Sequence, residues 1–316
     1  MVHRHPIAKS KAIHRRTGKT FYYATKLLPK RIRHATYVLY AFFRIADEVV
    51  DSENDLTPDA QRRRLAALRD EVLGRRETDD PVLLAFRDLC VTYDIPDTEV
   101  EAFIDAMCAD IEKDRYATYE ELETYMRGSA AAVGRMMTCV MQPEEPERAL
   151  PHATRLSEAF QLTNFLRDVG EDIVDRERIY LPQTTLDTFG VSEAQIERRE
   201  FTPEFADAIS FELTRAEDLY REGVAGIRYL PEDSQFAILL SAVLYADHHR
   251  LIREQGMDTL TQTPSLSAVR KLRLIAETRW QWLWNSDPEA VFEKVSTTGT
   301  TRSRPPEPTG TPTQAR

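Results

Sequence analysis

The stretch RIRHATYVLYAFFRIADEVVD, residues 31–51, decides the fold. Val38, Leu39, Phe42, Phe43, Ile45, Val49 and Val50 make it apolar nearly all round, so as a helix it must bury most of its surface. Yet Tyr40, Arg44, Asp47 and Asp51 recur at i, i+4, i+7 and i+11, which strings them along one face. Two aspartates four residues apart repel by roughly 0.2–0.5 kcal/mol on an isolated helix, and by more when partly buried. A cation held between them removes that cost. Alone the pair is weak evidence, because a chain with 52 acidic residues carries several such pairs on solvated helix faces.

The pattern occurs twice. In EAFQLTNFLRDVGEDIVDRERIYLP, residues 158–182, Gln161, Asn164, Asp168 and Asp172 fall at i, i+3, i+7 and i+11, while Leu162, Leu166, Val169 and Ile173 take another face and Arg167 adds a cation. Oxygen ligands of this kind suit a hard cation such as Mg²⁺, whose shell is usually completed by water and phosphate oxygens. A phosphorylated ligand is therefore implied, its oxygens held by Arg44 and Arg167.

Charge along the chain fits the same picture. Residues 1–46 hold eleven Lys or Arg and no Asp or Glu, whereas the whole chain carries −10. Such an N-terminus is compatible with a transit peptide, a nucleic-acid arm, or a folded element facing an anionic ligand or membrane surface. Phe21, Tyr22, Tyr23, Leu27 and Leu28 favour the last, since a solvated arm lacks core-forming residues. No nucleic-acid partner is expected.

The rest of the chain reads as helix. Starts are marked at Thr57-Pro58, Asp80-Pro81, Thr118 with Glu121, and Thr202-Pro203. The periodicity predicts helices over 32–51, 58–73, 81–93, 98–113, 119–141, 147–175, 203–228, 232–254 and 267–284, without strands. The fold class is all-α, a single large helical bundle: residues 1–13 form a flexible basic N-terminus, 14–288 the domain, and 289–316 a disordered tail whose composition turns to Thr, Pro, Gly and Arg from about Ser296.

Other chemistries lack a signal. There is no GxGxxG or GxxxxGK[ST] for a nucleotide. His248 and His249 are adjacent, hence on different helix faces and poor co-ligands. Cys90, Cys108 and Cys139 form no CxxC and lie in apolar helical patterns, which points to a reducing, cytoplasmic setting. No run of 18 apolar residues supports a spanning helix, though peripheral contact at the inner face of a membrane stays compatible with the sequence.

Three segments carry a resemblance to the squalene/phytoene synthase family: TFYYATKLLP (20–29), YAFFRIADEVVD (40–51) and AFQLTNFLRDVGEDIVDRERIYLP (159–182). YMRGSAAAVGRMM (125–137) and LLSAVLYADHHRLI (239–252) extend it, so that it covers about residues 14–285. The resemblance implies the isoprenoid synthase fold and head-to-head condensation of two prenyl diphosphates through a cyclopropylcarbinyl diphosphate. It implies Mg²⁺, with Mn²⁺ as a substitute, and no need of NADPH.

Carried over by position, Asp47 and Asp51 with Asn164, Asp168 and Asp172 are metal ligands. Thr17, Gly18, Lys19, Thr20, Tyr40, Arg44, Gln161, Arg167 and Tyr245 meet the substrate diphosphates, and Phe21 and Tyr125 lie near the reacting chains. The departure is at TGKT, residues 17–20, where many members are Ser-rich; Thr20 keeps a hydroxyl but Gly18 supplies no side chain.

Within the family, AFQLTNFLRDVGED followed by RIYLP resembles the members that make phytoene from two geranylgeranyl diphosphates. Squalene or dehydrosqualene synthesis from farnesyl diphosphate is the alternative, decided by the volume at the channel floor. A non-catalytic assembly factor of the same fold would not need both aspartate motifs. A head-to-tail prenyltransferase would carry a denser DDxxD.

Overall fold

The computed structural model describes residues 25–50 and 56–296. Fourteen α-helices run through them: α1 (Lys30–Val50), α2 (Pro58–Val72), α3 (Pro81–Thr92), α4 (Asp97–Ala109), α5 (Tyr119–Met126), α6 (Ala132–Met141), α7 (Pro146–Arg167), α8 (Val169–Arg176), α9 (Gln183–Phe189), α10 (Glu193–Glu197), α11 (Pro203–Ala225), α12 (Glu232–Glu254), α13 (Ala268–Trp284) and α14 (Pro288–Val295). Among the described residues the only β pairing is one isolated bridge, Arg115 to Ile179.

The starts read from sequence are real caps. The side chains of Thr57, Asp80, Thr118 and Thr202 accept hydrogen bonds from the backbone N–H groups of Ala60, Val82, Glu121 and Phe205, satisfying donors that a helix start leaves orphaned. One core joins the helices. In α1, Ile32, Val38, Leu39 and Phe42 are buried, each side chain contributing about 1.5–3 kcal/mol of hydrophobic stabilisation. Phe42 stacks on Phe86 of α3 at 3.9 Å between centroids.

Two predicted helices are interrupted. Residues 127–131 make a single π-helical turn between α5 and α6, a local insertion of the kind that often marks functional sites. The helix expected over 147–175 breaks at Asp168, which has φ −104° and ψ 15°. The cause is tertiary: the N–H of Gly170 donates to the carbonyl of Thr259 at 2.9 Å. A Cβ on Gly170 would lie 2.1 Å from the carbonyl oxygen of Leu260, so only glycine lets that loop approach. The long α7 packs chiefly on α11, where Gly223 leaves room for the backbone of Leu156.

Three short helices, α9, α10 and α14, were not expected. The last corrects the boundary drawn at 288, because Val291 and Phe292 are buried in the core and Phe292 stacks on Tyr220 at 5.8 Å. The packed structure therefore continues through Val295.

Candidate active site

The two polar stripes face one cavity. Tyr40, Arg44 and Asp47 from α1, Gln161, Asn164 and Arg167 from α7, Asp168 at the break, Asp172 from α8, Tyr125 from α5 and Tyr245 from α12 all line a space of about 780 Å³. Every predicted site residue within the described residues thus comes together. Asp51, Thr17, Gly18, Lys19, Thr20 and Phe21 lie outside the described residues.

Asp47, Asp168 and Asp172 each have an arginine beside them. Arg44 donates from Nη1 to Oδ2 of Asp47 at 2.5 Å and from Nε to Glu48 at 3.3 Å. Arg167 grips Asp168 with two donors, Nε to Oδ1 at 2.6 Å and Nη2 to Oδ2. Asp172 has Arg176 at 3.7 Å. Burial, opposed by Arg176 and reinforced by Asp168, pushes the Asp172 carboxyl up to about 7.

Sequence reasoning gave no role to a second set of residues in the same wall. Asp110, at the end of α4, accepts from Tyr125 Oη at 3.0 Å and pairs with Arg178 Nη1 at 3.4 Å. Burial, opposed by Arg178, pushes its carboxyl up to about 6. Arg178 also donates to Tyr180 Oη at 3.2 Å, and the Tyr180 ring stacks on Phe165 at 3.8 Å and 10°. Arg176, Arg178 and Tyr180 all face the cavity. Arg176 ends α8, whereas Arg178 and Tyr180 flank Ile179, which bridges to Arg115, and their alternation is the period of extended chain, legible in RIY.

Beneath this polar space runs a second, apolar one of about 300 Å³. Leu28, Leu39, Met137, Met141, Leu156, Phe160, Ile227, Leu230 and Ile238 supply its bulk, and Gly134, Ala149, Ala153, Gly223 and Ala237 supply its width. Tyr40, Phe43, Ser129, Val133, Gln161 and Asn164 line both spaces, so one leads into the other. The π turn puts Ser129 at that junction, with its Oγ buried and without a hydrogen-bond partner.

The donor set fits Mg²⁺. Asp47, Asn164, Asp168 and Asp172 offer only oxygen to the shared cavity. Among the described residues no three His, Cys, Asp or Glu side chains gather closely enough to cage an ion.

His248, His249 and Cys90 belong to packing. His249 is fully buried, with Nε2 at 2.9 Å from Thr163 Oγ1 and Nδ1 at 3.5 Å from Glu217. His248 Nδ1 lies 3.0 Å from the carbonyl oxygen of Tyr245, and burial, aided by Arg167, lowers its pKa to about 4. Burial pushes the Cys90 thiol up to about 12, which disfavours a thiolate nucleophile.

An all-helical bundle with paired aspartates and arginines at the mouth of an apolar tunnel defines a class of site for ligands with an anionic head and a long hydrocarbon tail. The chain belongs to the squalene/phytoene synthase family, whose model matches residues 14–270. It is 33% identical over 273 residues to the 15-cis-phytoene synthase of Synechococcus elongatus, covering 81% of this chain and 87% of that one. It is 33% identical to the phytoene synthase of Thermus thermophilus, with 81% and 86% covered.

Among solved structures, a dehydrosqualene synthase in complex with ligand superposes with a TM-score of 0.80 at 28% identity, covering 89% of this chain and 98% of that one. The squalene synthase of Alicyclobacillus acidocaldarius gives 0.72 at 26%, covering 80% and 95%. The fold is that of these synthases.

Proposed function

We propose that the protein is a prenyltransferase that condenses two geranylgeranyl diphosphates head to head, through a cyclopropylcarbinyl diphosphate, to phytoene and diphosphate, in carotenoid biosynthesis. The observation that carries this reading is the joined pair of compartments: an arginine- and aspartate-lined mouth opening, past Tyr40, Gln161 and Asn164, into a tunnel of apolar side chains. The relatives named phytoene synthase support the choice of product.

In this reading Arg44 and Arg167 release their carboxylate partners to hold diphosphate oxygens, a planar donor fork being suited to either anion. Asp47, Asn164, Asp168 and Asp172, with Asp51, would hold Mg²⁺, which supplies neutralisation of charge on the departing diphosphate. Arg176 and Arg178, on the same wall, add positive potential where that charge develops. Phe43, Phe165, Tyr125 and Tyr180 border the space where an allylic cation forms, and aromatic rings attract a cation. The apolar tunnel keeps the hydrocarbon, and the cation derived from it, from water. Neither a covalent protein nucleophile nor NADPH has a part in this scheme.

A second reading has a specific observation in its favour: the structural likeness to a dehydrosqualene synthase, which makes the same chemistry on farnesyl diphosphate the alternative. Incubating the protein with Mg²⁺ and each diphosphate in turn, then identifying the hydrocarbon by mass spectrometry, separates them. A C40 triene-centred product from geranylgeranyl diphosphate is expected. A C30 product alone would transfer the assignment to the shorter substrate, and no hydrocarbon from either would overturn both readings.

A further inference from the structure

One carboxylate of the cavity wall has no part in the scheme above. Phe103, Met107 and Asp110 recur at i, i+4 and i+7 along α4 and its C-terminal cap, and all three line the polar space. Asp110 is buried, and a buried carboxylate paired with one arginine often stabilises no more than an apolar side chain would. Stability alone therefore gives no reason for it. Its Oδ2 accepts from Tyr125 Oη at 3.0 Å, while Oδ1 makes no hydrogen bond and has Arg178 Nη1 at 3.4 Å. Burial, reinforced by Asp110, holds the Tyr125 phenol protonated, so the phenol is the donor of that bond.

The surroundings of Tyr125 are fixed from several sides. Tyr116, Tyr180 and Phe165 surround its ring, with centroids at 5.4, 6.1 and 6.3 Å. Residues 178–180 are pinned beside the end of α4, where the N–H of Ile179 donates to the carbonyl of Asp114 at 3.0 Å and Arg178 Nη2 to that of Asp110. The π turn that follows Tyr125 is seated on α4 as well. A Cβ on Gly128 would collide with the carbonyl oxygen of Ala102, and the buried Glu99 holds Arg127 and Arg135 at 2.9 and 2.6 Å. What remains free is the set of the phenol itself, and the bond to Asp110 fixes it.

We propose that Asp110 is a positioning residue for the condensation: through the hydrogen bond it accepts from Tyr125 it sets that ring toward the reacting carbons and enriches it in electron density for the carbocation. The inference rests on the reaction assigned above. A phenol that donates to a carboxylate is polarised by it, and a richer ring attracts a cation more strongly. Asp110 also sets a negative charge against Arg178, whose own charge would otherwise oppose a carbocation beside the same rings. Asp110 thus acts through Tyr125 and Arg178, both of which line the cavity.

Steady-state kinetics of the full chain with Mg²⁺ and geranylgeranyl diphosphate, on Asp110→Asn, Tyr125→Phe and the double variant, test this. Asparagine keeps the volume and removes the charge, whereas phenylalanine keeps the ring and removes the hydroxyl. Each single variant should lower kcat about tenfold or more, with KM within about twofold of wild type. The double variant should lose no more than the worse single one, because both substitutions break the same link. Cations held less well should be captured by water as alcohols, the oxygen lone pair forming the C–O bond and a water proton leaving to solvent, so more diphosphate should appear per hydrocarbon than in wild type. Losses that multiply in the double variant would overturn the proposal, as would a wild-type kcat in either single variant or a raised KM with kcat kept. Tyr125→Phe leaves Asp110 and Arg178 paired, so its kcat and alcohol yield carry the test should Asp110→Asn fold poorly. A wild-type protein that forms no hydrocarbon from any prenyl diphosphate would strike the assigned reaction, and this proposal with it.

Discussion

The polar mouth and the apolar tunnel are built from the same helices, yet they obey different rules. In the mouth many side chains are charged and paired, and Asp47, Asp168 and Asp172 each have an arginine within reach. In the tunnel the lining is mostly apolar and uncharged, and width comes from glycine and alanine. The lesson is that one ligand, anionic at one end and greasy at the other, dictates both ends of α1 and α7. Changes at the mouth should affect turnover of every substrate alike, whereas changes in the tunnel should discriminate by chain length.

The largest effect is expected at the mouth. Asp47→Asn or Asp168→Asn should lower turnover by about 10²–10³-fold, as for loss of one electrostatic group at a transition state. The loss should be equal for C15 and C20 substrates, with circular dichroism and melting unchanged. Wild-type turnover in either variant would remove these residues from the site. Next comes the tunnel: Ala153→Phe should cut conversion of the C20 diphosphate about tenfold more than that of the C15 one, read as the ratio of kcat/KM values. Equal losses would mean that this space does not measure the chain.

A third change joins the two regions through the backbone. Gly170→Ala places a Cβ against the carbonyl of Leu260 and must displace either the loop or the start of α8 that follows the break at Asp168. Overpacking of this kind costs ~1–3 kcal/mol, so a lower Tm accompanied by reduced turnover is expected. A variant with native Tm and turnover would show that the break does not depend on that contact.

The smallest effect concerns pH. Burial raises the Asp110 carboxyl from its ordinary 3.8 to about 6 in the folded protein, so the folded state binds more protons than the unfolded between those values. Its contribution to stability is present below 3.8 and is lost as pH rises through 6. Unfolding free energy should therefore fall more steeply from pH 4 to pH 6.5 in wild type than in Asp110→Asn, by about 1 kcal/mol per pH unit at most. Parallel denaturant-derived curves would mean that Asp110 is not perturbed.

What the sequence could announce followed the reach of its signals. Asp47, Asp168 and Asp172 stood out because helical period repeats within one segment, and the four capped starts because capping is local chemistry. The break at Asp168 was invisible: the stripe continues across it, with the N–H of Asp172 still bonded to the carbonyl of Asp168 at 2.8 Å, and its cause lies in a loop ninety residues away. Asp110 was hidden for a similar reason, since its partners Tyr125 and Arg178 are brought to it only by packing. The short helix α14 falls between the domain boundary drawn at 288 and the compositional change at about Ser296, and only packing shows Val291 and Phe292 to belong to the core. Exposure of one face of α13 could not be read from a pattern that equally suits burial.

The most direct test of the two-compartment account is a crystal structure with Mn²⁺ and a non-hydrolysable thiolodiphosphate analogue of geranylgeranyl diphosphate. Anomalous density for Mn²⁺ against the carboxylates of Asp47, Asp168 or Asp172, with the diphosphate on Arg44 and Arg167 and the tail in the tunnel beside Ala153 and Leu230, is the predicted result. A headgroup bound elsewhere, or a tail lying outside that tunnel, would contradict the account.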